Sequence, residues 1–160
     1  MKTALITGAS GEIGAAVARH FAEAGYGVAL HGARHFKNAE ALADTLRQAG
    51  HTACAVQGDL SDPEACARVW AESESALGPI DVLVNGAGIS LVEFFDAVSP
   101  AAWNALVGAN LSSAVWLSQH AAKSMIRRKA GAIVNVSSIW GVSGAAMEVA
   151  YSAVKAGMLG

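Results

Sequence analysis

The sequence predicts an α/β protein with a parallel sheet covered by helices on both faces. Short apolar runs alternate with segments of helical period along the chain. A glycine-rich turn follows the first apolar run directly. Hydrophobic residues make up 53% of the chain and charged residues 15%, a balance that supports a buried core rather than disorder. Strands buried on both faces read as continuous apolar runs, and parallel neighbours need crossover helices.

The elements follow in order. Thr3 to Thr7 is an apolar strand ending at glycine. Glu12 to Ala24 places Ile13, Val17 and Phe21 at helical spacing and stops at Gly25. Val28 to Leu30 is the second strand, and Ala39 to Ala49 is a helix stopped by Gly50. Thr52 to Gln57 is the third strand, closed by Gly58 and Asp59. Ser61-Asp62-Pro63-Glu64 supplies a capping acceptor, a first-turn proline and a carboxylate at the positive end of the next helix. That helix ends near Gly78-Pro79, and Asp81 to Val84 is the fourth strand. A long helical region from Pro100 to Lys129 is predicted to break near Gly108. Ala132 to Val136 is the fifth strand, and a helix begins at Glu148.

At 160 residues the chain fits one domain, taken as residues 1–160, with no repeat or linker. The net charge of -2 comes without a basic block, which argues against nucleic acid and anionic membranes as partners. No apolar run is long enough to span a bilayer, and no secretory leader precedes the first strand. Cys54 and Cys66 have neither metal nor redox spacing and read as a strand and a helix residue. The five histidines form no ligand cluster, so no metal site is expected. A reducing cytoplasm is the expected location.

The turn Thr7-Gly-Ala-Ser-Gly-Glu-Ile-Gly14 lies between a strand and a helix, the context a dinucleotide fingerprint requires. Gly8 turns sharply after the strand, Gly14 lets helix and sheet approach, and helix-start N–H groups can hold a pyrophosphate. At the end of the second strand, NAD-selective sites carry an acid for the ribose 2′-hydroxyl. Here the sequence is His31-Gly-Ala-Arg34. Arg34 can pair with a 2′-phosphate and His31 can add a donor, so NADP(H) is the expected cofactor. The competing reading makes Arg34 a solvated loop cation.

Tyr151 and Lys155 stand four residues apart, on one face of a helix, and Ser138 lies thirteen residues before the tyrosine. A neighbouring ammonium favours the phenolate and lowers a pKa that is about 10 when unperturbed. Such a phenol can exchange protons near neutral pH. Alone, the pair would be an ordinary helix-surface contact.

Taken in order, the glycine turn, Asp59-Leu60, Asn85-Gly-Ala-Gly88, Asn110, Ser138, Tyr151 and Lys155 resemble the short-chain dehydrogenase/reductase family along the whole chain. The resemblance implies a Rossmann-like doubly wound sheet of strand order 3-2-1-4-5. It implies that Gly8, Ser10, Gly11, Ile13 and Gly14 line the pyrophosphate. Asp59 would accept from the adenine amino group, with Leu60 beside the ring, and Asn85, Ala87 and Gly88 would line the adenosine ribose side. Tyr151 would protonate a carbonyl oxygen as hydride arrives, and Ser138 would hydrogen-bond that oxygen. Lys155 would hold the nicotinamide ribose, and Asn110 would fix a water linking Lys155 to solvent protons.

The implied reaction is NADPH-dependent reduction of a ketone to an alcohol. The general pattern resembles 3-oxoacyl-[acyl-carrier-protein] reductases, so the expected substrate is a 3-oxoacyl thioester, small or held on a carrier protein. The stretch from Ser137 to Tyr151 also resembles reductases of an aminopentanone group on elongation factor P. A third reading is a non-catalytic nucleotide-binding or interaction fragment, and a fourth an NAD-dependent alcohol dehydrogenase. Trp140 and Met147, between Ser138 and Tyr151, either form an apolar substrate wall or pack internally. Trp103 and Trp116 read as core or subunit-contact residues.

Two positions depart from the family pattern. Glu12 stands where glycine is usual, and Gly86 stands where a second asparagine is common. A carboxylate beside a pyrophosphate is tolerable only if it points to solvent. The family also continues beyond this length with two more strands and a lid. The expectation is therefore a truncated reductase, with the fifth strand an exposed edge and the last helix short. A homo-oligomer is expected where the full family architecture is present.

Overall fold

The computed structural model describes residues 1–160. The chain forms β1 (Thr3–Ile6), α1 (Glu12–Glu23), β2 (Gly27–Gly32), α2 (Phe36–Gln48), β3 (Ala53–Gln57), α3 (Pro63–Leu77) and β4 (Val82–Asn85). A 3-10 turn at Phe95–Ala97 precedes α4 (Pro100–Val107), then come α5 (Ser113–Arg128), β5 (Ala132–Asn135), α6 (Trp140–Ser143) and α7 (Val149–Gly157). All four pairings are parallel and the sheet order is β3-β2-β1-β4-β5. This is the doubly wound sheet the sequence implied, with the order reversing between β1 and β4.

The alternation of side chains along β1 builds one core on each face. Ala4 and Ile6 join Val28, Leu30 and Val84 in a core closed by α1 and α2. Leu5 and Ala29 join Leu83, Ile80 and Leu117 in a core closed by α3 and α5. A third cluster of Leu106, Ala150 and Val154 fastens α7 to α4.

The helix starts follow their local chemistry. Asp62 accepts from the N–H groups of Glu64 (3.0 Å) and Ala65 (3.2 Å), with Pro63 in the first turn of α3. Ser99 caps α4 through Ala102 N–H at 3.1 Å, again before a proline. Asp81 accepts from Thr3 N–H at 3.0 Å and from Arg128 at 2.7 Å, so one carboxylate joins the starts of β1 and β4 to the end of α5. Partial burial pushes this carboxyl up, but those two partners outweigh it and hold the group below its ordinary range.

Three expectations change. The break near Gly108 is a π-helical turn, Gly108–Ser112, through which α4 and α5 run on as one helix. α2 starts at Phe36, three residues before its apolar stripe begins at Ala39. Trp103 is 40% exposed, which removes the core half of its reading and leaves the subunit-contact half, whereas Trp116 packs against the α3–α5 core. Every residue of β5 is exposed, as an edge strand with little above it, and includes Ile133 and Val134. No helix is long and apolar enough to cross a membrane.

Leu83 is fully buried at the centre of the sheet, paired in register with Leu5 and Ile133. Leu83→Ala should cost about 2–5 kcal/mol of unfolding free energy, read from urea denaturation.

Candidate functional site

The site grows from the carboxyl ends of β1, β2, β3 and β4. Thr7, just past β1, is buried, and its hydroxyl is fully used. It donates to Val84 O at 3.2 Å and accepts from Gly86 N–H (2.9 Å) and Ala87 N–H (3.0 Å). One side chain thereby sets the turn after β4 against the turn after β1. Sequence reasoning passed over Thr7 as the last residue of a strand. Its position before the first turn glycine was the available signal.

Gly8 has φ +72°, and a Cβ there would lie 2.9 Å from Ala87 Cα and Gly86 O. A side chain at Gly86 would in turn approach Thr7 O to 2.9 Å. A Cβ on Gly14 would overlap Gly8 O, so α1 can begin close to β1 only with glycine there. Glu12 is exposed in the first turn of α1, the orientation a phosphate-binding turn demands of it.

A groove of about 660 Å³ opens over these turns. Gly8, Ser10, His31 and Arg34 line it, facing Asp59, Leu60, Ala87 and Gly88. Arg34 is exposed and forms no ion pair. Asp59 Oδ1 accepts from Ser61 N–H (3.1 Å) and Ser61 Oγ (2.8 Å), leaving Oδ2 open to the groove. These two bonds, with smaller help from Arg34, hold the Asp59 carboxyl below its ordinary range. The residues present fit a dinucleotide: glycine turns without Cβ obstruction, a free acceptor beside Leu60, and an unpaired guanidinium.

The structure places four of the expected site residues as follows. Asn85 is buried and turned away from the groove, its Nδ2 donating to Asn135 Oδ1 (2.8 Å) and Ser118 Oγ (3.2 Å). It braces β4 against β5 and α5, because the residue that ends β4 points across the sheet rather than past its end. His31 is also buried, with both ring nitrogens against backbone groups, so it offers no free donor. Gly11 and Ile13 lie outside the groove's lining. Gly11 N–H closes the turn onto Gly8 O at 3.0 Å, and Ile13 projects into solvent on the first turn of α1.

Past Gly88 the second half of the site assembles on α7 and the π-turn. Lys155 is buried, with Nζ donating to Val136 O at 2.9 Å and standing 5.8 Å from the centre of the Tyr151 ring. Burial pushes the Lys155 ammonium below its ordinary range. Ser137 Oγ donates to Lys155 O at 2.8 Å, fixing α7 against the strand end. Asn110, in the π-turn, donates from Nδ2 to Leu106 O (2.9 Å) and Ile89 O (3.0 Å). Both amide N–H groups thus return to backbone carbonyls, one on the preceding turn of the same helix and one on the loop after β4. Asn110 Oδ1 is buried with no partner, and it meets Gly88 on the side where Lys155 Nζ also approaches. Gly88 is thus the one residue shared by groove, asparagine and lysine.

Ser138 Oγ accepts from Trp140 N–H at 3.2 Å at the start of α6. Gly141 lets α6 lie against the Lys155 backbone, since a Cβ there would stand 2.8 Å from it. Met147 adopts φ +61°, held by Glu93 N–H on its carbonyl at 2.8 Å. That bond ties the loop after β4 to the loop before α7. Trp140 and Met147 are both partly exposed beside Ser138 and α7.

The sequence pattern of the family described as short chain dehydrogenase matches residues 2–160. The chain belongs to the short-chain dehydrogenase family. It is 40% identical over 159 residues to nodulation protein G of Azospirillum brasilense, covering 99% of this chain and 65% of that protein. It is 35% identical to a 3-oxoacyl-[acyl-carrier-protein] reductase of Staphylococcus aureus, with 99% and 65% covered. It is 40% identical to an acetoacetyl-CoA reductase of Shinella zoogloeoides, with 99% and 64% covered. A solved short-chain alcohol dehydrogenase from Sinorhizobium meliloti 1021 superimposes with a TM-score of 0.93 at 37% identity, covering 99% of this chain and 62% of that one. The chain therefore spans just under two thirds of these relatives' length.

Within this short-chain dehydrogenase, the Thr7 hydroxyl is the cheapest way to test the junction. Thr7→Val should leave the Gly86 and Ala87 amides without their partner, lowering stability by about 1–3 kcal/mol. Amide hydrogen exchange at those two residues should accelerate, as read by NMR.

Proposed function

We propose that the groove binds NADP(H) and that the protein of which this chain is part reduces a ketone to an alcohol. The observation that carries the reading is the convergence of Lys155 and Asn110 on Gly88, which also lines the groove, with the Tyr151 ring centre 5.8 Å from the Lys155 ammonium. The substrate class is a 3-oxoacyl thioester, free or on a carrier protein. Two relatives named for reduction of 3-oxoacyl or acetoacetyl thioesters support that choice.

Bound nicotinamide supplies the hydride. Negative charge then grows on the substrate's carbonyl oxygen, and donors aimed at it stabilise the transition state more than the ground state. Tyr151 gives the proton. The Ser138 oxygen already accepts from Trp140 N–H, so its own hydrogen is free to turn toward the substrate. Lys155 uses one N–H on Val136 O and one, more weakly, on Met158 Sδ, and keeps the third for a ribose hydroxyl. The unpartnered Asn110 Oδ1 suits a water between that ammonium and solvent. Trp140 and Met147 would form the apolar side of the substrate entrance. Arg34 would take the 2′-phosphate, Asp59 Oδ2 the adenine amino group, and Leu60 the adenine face. We place the protein in the cytoplasm, and we read it as a homo-oligomer, the latter supported by the exposed Trp103 on α4 and Val115 on α5.

Tyr151→Phe should lower kcat for acetoacetyl-thioester reduction by about 100-fold or more while NADPH affinity stays constant. Undiminished turnover in that variant would remove Tyr151 from the chemistry. Nucleotide binding without any turnover in the parent would favour a binding module instead. Arg34→Gln should weaken NADPH by about tenfold or more and leave NADH nearly unchanged, measured by fluorescence titration. Equal loss for both nucleotides would sink the 2′-phosphate role.

A further inference from the structure

The turns after β1 and β3 are joined by a side chain that does not face outward at all. His31 lies one residue before the end of β2 and is 2% exposed. Its Nδ1 stands 3.2 Å from Gly8 N, and its Nε2 stands 2.9 Å from Gly58 O. An amide N–H can only donate and a carbonyl oxygen can only accept. The ring therefore has a single compatible state, neutral with its proton on Nε2. In that state it runs from the phosphate-type turn at Gly8 to the turn that carries Asp59, across the strand between them.

We infer that His31 is a positioning residue for nucleotide binding, its neutral ring holding Gly8 in the turn geometry the groove requires and releasing it when protonated. The inference rests on the nucleotide-groove reading above. A second ring proton would put two donors, Nδ1–H and Gly8 N–H, face to face in a buried site. Neither could then be satisfied without a move of the ring or the turn. The charged groups nearby are Asp59, on the turn after β3, and Arg34 and His35, on the loop after β2. The turns after β1 and β4 bring only Gly8, Ser10, Ala87 and Gly88 to the groove, none of them titratable. Burial pushes the His31 pKa down, and the Gly58 carbonyl and the Asp59 carboxylate only partly oppose it. The unfolded chain therefore takes its proton first. Stability tied to this ring is whole above about pH 6.5 and declines as pH falls below that value.

The test uses the parent chain and His31→Gln, whose amide can accept from Gly8 and donate to Gly58 without titrating. NAD⁺ and NADP⁺ affinities are measured by calorimetry at about pH 7.5 and about pH 5.5. NAD⁺ isolates the ring, because NADP⁺ carries a 2′-phosphate that titrates in the same range. The parent should lose about threefold or more in NAD⁺ affinity on acidification, and His31→Gln should change much less. Long-range ¹H–¹⁵N spectra of the parent without nucleotide should show the Nε2–H tautomer at neutral pH. An Nδ1–H tautomer, equal pH dependence in both proteins, or NAD⁺ affinity that rises in acid would overturn the inference. Failure of either protein to bind nucleotide at any pH would instead overturn the groove reading, and this inference with it.

Discussion

The Thr7 hydroxyl makes all three hydrogen bonds available to it, and the rest of the site is built around that junction. β1 and β4 are the neighbours at which the strand order changes direction, and their ends diverge into crossovers on opposite faces. Such a split opens a crevice only if both turns hold their shape. A saturated hydroxyl gives each turn one answer, because any displacement leaves a buried amide or carbonyl unpaired. Gly8 then packs against the Gly86–Ala87 backbone, where its positive φ and the 2.9 Å approach of a Cβ to Gly86 O disfavour any side chain at Gly8.

The catalytic side depends on a similar economy of short tethers. Lys155 is held at its side chain by Val136 O and at its carbonyl by Ser137 Oγ, both groups at the end of β5. α7 is only Val149–Gly157, too short to be stable by itself. It is retained by those two bonds and by the small cluster of Leu106, Ala150 and Val154. In the helix opposite, Asn110 of the π-turn is anchored on Leu106 O and Ile89 O and turns its remaining oxygen toward Gly88, where Lys155 Nζ also approaches. Ionisable and amide groups are thus fixed by strand ends and one helix irregularity, rather than by a network among themselves.

Much of this was readable along the chain. The alternation of apolar runs with helical-period segments gave the sheet, since the inner strands β1, β2 and β4 are buried and apolar, and β5 keeps the same apolar signal although it is exposed. Asp62 and Pro63 announced α3 because capping is local chemistry. The π-turn was less legible. Gly108 signals a helix break equally well, and only the packing of α4 and α5 as one element makes it a π-turn. α6 was hidden because four residues after a strand end carry no period. Asn85 and His31 were misplaced for one reason: sequence order locates a residue at a strand end but does not say which side of the sheet it faces.

The sequence by itself determined the chemistry available: the spacing of Tyr151 and Lys155, the glycines that admit close backbone approach, and a cation in place of an acid after β2. These are consequences of residue type and short-range spacing, which survive any tertiary arrangement. The tertiary structure alone decided which polar groups are spent and which are free. Arg34 and Asp59 Oδ2 stay open because nothing folds over them, whereas Asn85 Nδ2 and both His31 ring nitrogens are taken up by partners about 50 and 27 residues away or nearer in the chain. Burial without a partner is costly, so long-range folding assigned those two side chains to the scaffold and left the site to the others.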